Sequence, residues 1–165
     1  MSPAEGTDEL PLGSVPVLTL PSGKRVCQSA AINRYAASLA KLYGSTPEET
    51  LSIDEVCESA AELLNKCPQH ADAEVKKTLR TQYKETVMPK MFQFLTQRLG
   101  AGPFYGGDKL NLADLTVYAV VDGVKSGSWD YIDGAFLNDY PALASHLEAV
   151  RSHPLVVEHG HLEKK

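Results

Sequence analysis

A serine at the start of an amphipathic segment offers one specific chemistry, which is holding a carboxylate. Ser29 is in that position, because Ile32, Tyr35, Ala36, Leu39, Leu42 and Tyr43 follow at helical spacing. The free amides of a first helical turn, the helix dipole and a hydroxyl would then converge on one anion. The same Ser29 reads equally well as the ordinary cap of its own helix. The three cysteines, Cys27, Cys57 and Cys67, offer thiol nucleophiles only as thiolates. They are odd in number and form no C-x-x-C pair, so neither a zinc site nor a disulfide framework is expected. His153, His159 and His161 could gather a metal ion, but they lie in the tail and read as solvated. No metal site is therefore expected. Trp129 and Tyr131 could line an apolar acceptor pocket, or pack beneath a helix.

A second constellation is structural. Leu110-Asn111-Leu112-Ala113-Asp114-Leu115 places Asn111 as a helix N-cap and Asp114 three residues later, where its carboxylate can reach back to the cap amide. Leu110 and Leu115 bracket this box as a hydrophobic staple requires. The helix it starts is apolar on every side through Val121, which predicts the buried centre of a bundle. Asp122 near its end then needs a partner.

Composition bounds what such residues can serve. The chain has 165 residues, 43% hydrophobic and 22% charged, which suffices for a core without disulfides. Sixteen basic residues against 21 acidic give a net charge of −5 with no Lys/Arg block, so neither nucleic acid nor a membrane surface is an expected partner. No apolar run approaches the ~20 residues of a membrane span. No signal peptide is visible, and the expected setting is the cytoplasm.

The elements that must position these residues follow from periodicity and punctuation. Met1 to Asp8 is a polar, acidic lead-in. Val15-Pro16-Val17-Leu18-Thr19-Leu20 and Arg25-Val26-Cys27, joined by Pro21-Ser22-Gly23-Lys24, read as a hairpin. Pro16 marks an edge, a bulge or a cis turn. The helix from Ser29 is expected to stop at Gly44. Thr46-Pro47-Glu48-Glu49 is a capping box. It opens a helix with Ile53, Val56, Cys57, Ala60, Leu63, Leu64 and Cys67 on its inner face, ended by Pro68. A long helix from about Ala71 to Leu99 carries Val75, Leu79, Tyr83, Val87, Met91, Phe94 and Leu95, with a kink at Pro89. Gly127 stops the central helix. Pro141 to Arg151 forms another, and Pro154 begins a short last one. The expected fold is mostly α: a helical bundle preceded by a β-hairpin and one helix. A lone hairpin is marginal in water, so it reads as part of a larger α/β unit.

Three ordered motifs resemble the cytosolic glutathione S-transferases. Gly13-Ser14-Val15-Pro16-Val17-Leu18 is similar to the family's G-Q-V-P-V-L strand, whose proline is cis. Gln28-Ser29-Ala30-Ala31-Ile32-Asn33-Arg34-Tyr35 is similar to its Q-S-x-A-I-x-R-Y-L helix start. Gly107-Asp108-Lys109-Leu110-Asn111-Leu112-Ala113-Asp114 is similar to its G-D-x-[LI]-[ST]-x-A-D capping motif. The resemblance runs from Leu10 onward and is nearest to the sigma-like classes. It implies a partial thioredoxin-like, glutathione-binding domain over residues 1–44 and a helical C-terminal domain over residues 45–165.

The resemblance also implies roles. Gln28 and Ser29 would take the γ-glutamyl end of glutathione. The backbone of Val15 would pair with its cysteinyl residue, as in strand addition, and Pro16 would shape that edge. Ser14 stands where the family has Gln, a shorter side chain. Glu62 aligns with an acidic residue that some classes extend across the dimer to the γ-glutamyl amine, with Glu58 one turn earlier as its competitor. Asn111 and Asp114 stay structural. Glutathione would be a co-substrate rather than a cofactor, a hydrophobic electrophile its acceptor, and a homodimer the assembly, although Leu12 replaces the aromatic that locks some dimers. No residue matches the family's thiol-activating Tyr, Ser or Cys, so no catalytic residue is assigned. The family's upstream strand, helix and strand, about 40 residues, are unmatched, and the expectation is an N-terminally incomplete chain. A non-catalytic interaction module or ligand carrier is the alternative reading.

Overall fold

The structure, a computed structural model, describes residues 10–159. The chain divides into two compact units, Met1–Tyr43 and Gly44–Lys165.

The first unit holds strands β1 (Val17–Thr19) and β2 (Arg25–Cys27) and helix α1 (Ser29–Leu39). The strands pair antiparallel, Val17 opposite Cys27 and Thr19 opposite Arg25. Gln28, at φ 78°, turns the chain from β2 into α1. Gln28 rather than Ser29 is therefore the N-cap, and it makes no side-chain capping bond. Ser29 becomes the first helical residue. α1 stops before Gly44, in a left-handed turn at Lys41 (φ 58°). There the Leu42 N–H returns to the Ala37 carbonyl at 2.8 Å, a Schellman closure. An exposed lysine tolerates that turn at a cost of about 1–2 kcal/mol. Of the expected inner face of α1 none is fully buried; Ala37 is, while Tyr35 and Leu39 are exposed.

The second unit is helical. It comprises α2 (Pro47–Asn65), α3 (Ala73–Thr86), α4 (Met88–Leu99), α5 (Leu112–Lys125), a 3-10 helix (Gly134–Asp139), α6 (Pro141–Ser152) and α7 (Pro154–His159). Gly44 matters here for space, since a Cβ would stand 2.4 Å from the Thr50 nitrogen. Thr46 caps α2 through the Glu49 N–H at 3.1 Å. The Glu49 carboxylate turns to the Ser45 N–H (2.8 Å) and hydroxyl (2.6 Å) instead of the cap amide. Ser45 offers two donors where Thr46 offers one. These bonds hold the Glu49 carboxyl below its ordinary pKa. The inner face of α2 is as expected except for Leu64, which is exposed.

The single long helix is in fact two. The break falls at Val87, because Pro89 has no N–H for the carbonyl of Glu85 and instead occupies the first turn of α4. The buried stripe keeps Tyr83 and Leu95 of the expected face but not all of it. Arg80 and Tyr83 are buried on α3, and Met88, Phe92, Leu95 and Leu99 on α4, whereas Val75 and Leu79 face solvent. α5 is the buried centre, packed against α2, α6 and the 3-10 helix. Asp122 finds its partner in Arg151 at 2.7 Å. Gly127, at φ 74°, closes α5, with the Ser128 N–H on the Gly123 carbonyl at 3.1 Å.

Candidate functional site

The hairpin register brings five candidates to one end of the first unit. Val17 pairs with Cys27. The residues just before β1 and just after β2 are therefore neighbours: Ser14, Val15 and Pro16 on one side, Gln28 and Ser29 on the other. All five are exposed, Val15 to 78%. The Val15–Pro16 peptide is cis. Val15 lies outside the β ladder, so its backbone groups are open. Gln28, at positive φ, makes no side-chain bond to the helix start. The first-turn amides of α1 thus face solvent beside the Ser29 hydroxyl, an arrangement that receives a carboxylate. Glu62 lies on α2 in the second unit, half exposed and paired with Lys66 one turn on.

The capping box is a larger hub than its spacing indicated. Asp114 is fully buried. Its Oδ2 accepts the Asn111 N–H at 2.8 Å, and Asn111 Oδ1 accepts the Ala113 N–H at 2.8 Å. Its Oδ1 accepts the Tyr105 N–H at 2.8 Å and meets His146 Nε2 at 3.0 Å. A carboxylate can only accept, so Nε2 carries the proton. His146 is 1% exposed, and the Tyr105 ring meets its imidazole edge-on at 5.3 Å. The Tyr105 hydroxyl donates to the Leu95 carbonyl at 3.0 Å, and burial pushes that phenol above its ordinary pKa. One carboxylate thereby ties the start of α5 to the glycine-rich loop of residues 100–107, through Tyr105, and to α6. The staple is present too: Leu110 packs with Phe104 and Val150, and Leu115 lies against them. Sequence reasoning missed His146. Its signal was its place three residues after Leu143 and four before Val150, on the apolar stripe of α6.

The remaining candidates lie in the helical unit. Trp129 is buried and Tyr131 exposed. The His153 ring packs edge-on against Phe104, and its Nδ1 accepts the Leu155 N–H at 3.3 Å. His159 faces Glu158, and His161 lies outside the described residues. Burial pushes the Cys67 thiol up, against nucleophilic use. Among the described residues no three His, Cys, Asp or Glu side chains gather around a common point, and no helix is long and apolar enough to cross a membrane.

Comparison with known proteins adds relatives to this geometry. A family model described as "Glutathione S-transferase, C-terminal domain" matches residues 61–161. S-crystallin SL11 of Nototodarus sloanii is 27% identical over 154 residues, which are 90% of this chain and 73% of that protein. Glutathione S-transferase Mu 1 of Macaca fascicularis is 33% identical over 98 residues, 59% of this chain and 44% of the relative. Among solved structures, rat hPGDS complexed with a quinoline superimposes with a TM-score of 0.79 at 23% identity, over 92% of this chain and 74% of that one. Na-GST-3 of the hookworm Necator americanus, described as monomeric, gives 0.74 at 24% identity, over 92% and 75%.

Proposed function

The chain belongs to the glutathione S-transferase family, and on that premise we propose that it binds glutathione at the open end of its hairpin, as part of a protein that conjugates glutathione to hydrophobic electrophiles. The observation that carries this reading is the uncapped start of α1. Gln28 at φ 78° leaves the first-turn amides and the Ser29 hydroxyl free for a ligand.

In the proposed complex the γ-glutamyl carboxylate sits on Ser29, through its N–H and its hydroxyl, with Gln28 beside it. Val15 pairs its backbone with the cysteinyl residue, Ser14 lines the approach, and Glu62 would serve, across the proposed homodimer, the γ-glutamyl amine held by the other copy. These groups bind and orient. None activates the thiol, and no catalytic residue is assigned. In conjugation the thiol proton leaves, sulfur bonds to the electrophilic carbon and the leaving group departs with its electron pair. Only the thiolate is nucleophilic enough. The protein is further proposed to act in the cytoplasm, as a homodimer, needing no resident cofactor.

A second reading, a non-catalytic module, is favoured by the relatives that carry a crystallin's name: S-crystallin SL11, and S-crystallin 3 of Enteroctopus dofleini at 23% identity. The test separates the two. Titration calorimetry with glutathione should give saturable binding that Ser29→Ala weakens about tenfold, the loss expected for one hydrogen bond to a charged group. Turnover of a chlorodinitrobenzene acceptor by the same preparation supports the enzyme, and binding without turnover supports the module. Absence of glutathione binding at millimolar concentration, or equal binding by Ser29→Ala, overturns the proposed site.

A further inference from the structure

The segment that leaves α5 is held at almost every residue. Gly127 closes the helix, and the hydroxyls of Ser126 and Ser128 meet at 2.8 Å. Trp129 is 8% exposed and lies on α5 so closely that a Cβ on Gly123 would stand 2.9 Å from its Nε1. The Asp130 carbonyl accepts from Arg80 at 2.9 Å, and its carboxylate accepts from Lys76. Ile132 is buried, and its N–H returns to the Trp129 carbonyl at 3.0 Å. Asp133 caps the 3-10 helix through the Ala135 N–H at 2.8 Å.

Tyr131 is the exception. Its side chain is 45% exposed, and its backbone is left-handed at φ 62°. A non-glycine residue there is disfavoured and persists because its neighbours determine it; such residues concentrate where ligands bind. Tyr131 lines an open cleft of about 320 Å³ together with Lys84, Gly127, Trp129, Ile132 and Asp133. That volume lies at the small end of ligand sites. Lys84, half-buried on α3, makes no ion pair among the described residues. The cleft thus sets the exposed Tyr131 and the edges of Trp129 and Ile132 beside one cation that makes no ion pair among the described residues. The carboxylate of Asp133 on its rim disfavours ligands of higher negative charge.

From this we propose that the cleft formed by Trp129, Tyr131 and Lys84 binds a small planar aromatic carboxylate, with the ring against Tyr131 and the indole and the carboxylate on the Lys84 ammonium. The site lies wholly within the helical unit and is independent of glutathione binding.

The chain has one tryptophan, so the indole N–H resonance reports on this cleft alone. The probe is 2-naphthoate, titrated into the full chain and followed by that resonance. The expected result is a saturable shift in the millimolar range or below, unchanged by saturating glutathione. The neutral 2-naphthalenemethanol should bind at least about threefold more weakly, as should the probe to Lys84→Gln, the upper range of an exposed ion pair. Tyr131→Gly suits a left-handed backbone. It should keep or raise the melting temperature while weakening 2-naphthoate about fivefold, the worth of one aromatic contact. No saturable shift overturns the proposal. So does equal affinity in Lys84→Gln and Tyr131→Gly, or displacement of the probe by glutathione.

Discussion

Replacing Asp114 by alanine tests the claim that one carboxylate couples three segments. The substitution strands three donors at once: the Asn111 N–H, the Tyr105 N–H and His146 Nε2–H. A buried donor left without a partner costs about 1–3 kcal/mol. Tyr105 is only partly buried, so water can reach its amide and the lower end applies. Asn111 and His146 are buried and pay more. The sum is about 3–5 kcal/mol, a large share of the 5–15 kcal/mol that holds a typical domain. Asp114→Asn is milder but not benign. Its amide presents one acceptor oxygen, so whichever way it is turned one backbone N–H faces an NH2 group, at about 2–3 kcal/mol. Urea unfolding at neutral pH, followed by circular dichroism and by Trp129 fluorescence, reads both as a lower midpoint at constant slope. A double-mutant cycle isolates the link to α6. His146→Leu costs about 1 kcal/mol in the parent, where Asp114 keeps two donors. It should cost nothing or stabilise beside Asp114→Ala, where it removes a stranded donor, giving a coupling of about 1–2 kcal/mol. A loss below about 1 kcal/mol for Asp114→Ala, or strict additivity with His146→Leu, refutes the hub.

Three further outcomes follow from particular contacts. Burial pushes the Tyr83 phenol up to about 12, and its hydroxyl donates to the Leu63 carbonyl. The fold therefore favours the neutral phenol, and this stability is intact below the free phenol's value near 10 and lost as pH rises through about 12. Tyr83→Phe should cost about 1 kcal/mol at neutral pH and flatten the alkaline limb of a urea-midpoint profile; an unchanged limb would show that other groups set it. The Lys76 hydrogen bond, its charge and that of Arg80 hold the Asp130 carboxyl below its ordinary pKa. That contribution is present above the free carboxyl's value near 3.9 and lost as pH falls through the lower folded value. Asp130→Asn should shorten the drop in melting temperature between neutral and acid pH, more at low salt than at high because Asp130 is exposed. Val75 and Leu79 lie one turn apart on the exposed face of α3. If that face joins a second copy, Leu79→Glu should shift sedimentation from dimer to monomer with little change in helix content, and a parent chain that is already a stable monomer contradicts the homodimer.

Much of the fold was legible in the sequence, because the relevant forces are local. Thr46-Pro47, Asn111-x-x-Asp114, the Leu110–Leu115 staple and Gly127 each act within a few residues, and each marks its helix end in the structure. The failures share a cause, which is that the deciding partner is distant or the decisive effect is steric. Gly44 looked like a helix stop, yet its lack of a side chain serves the approach of Thr50. Pro89 was expected to bend one helix, and it ended one and started another; of the expected stripe Tyr83 and Leu95 are buried, whereas Val75 and Leu79 are exposed and Arg80 is buried in their place. Arg80 is buried because the carbonyls of Pro68 and Asp130 meet its guanidinium, 12 and 50 residues away. No spacing rule encodes that, nor the 32 residues between Asp114 and His146.

The proposed glutathione site shows the limit from the other side. Helical periodicity placed Ser29 at a helix start, but whether that start was capped or open depended on the backbone of Gln28. A glutamine carries no mark of a positive φ, so the identity of the residue could not announce an open anion site; the turn out of β2 imposes it. Apolar periodicity has the same blind spot. Spacing shows that residues share a face and is silent on what covers the face. Leu39, Leu64, Val75 and Leu79 obey the pattern of core residues and are exposed. Single exposed apolar residues are ordinary, whereas neighbouring ones on one face mark an interaction surface. Val75 and Leu79 are such neighbours, and it is the sedimentation of Leu79→Glu, rather than any further reading of the bundle, that decides whether their face joins a second copy.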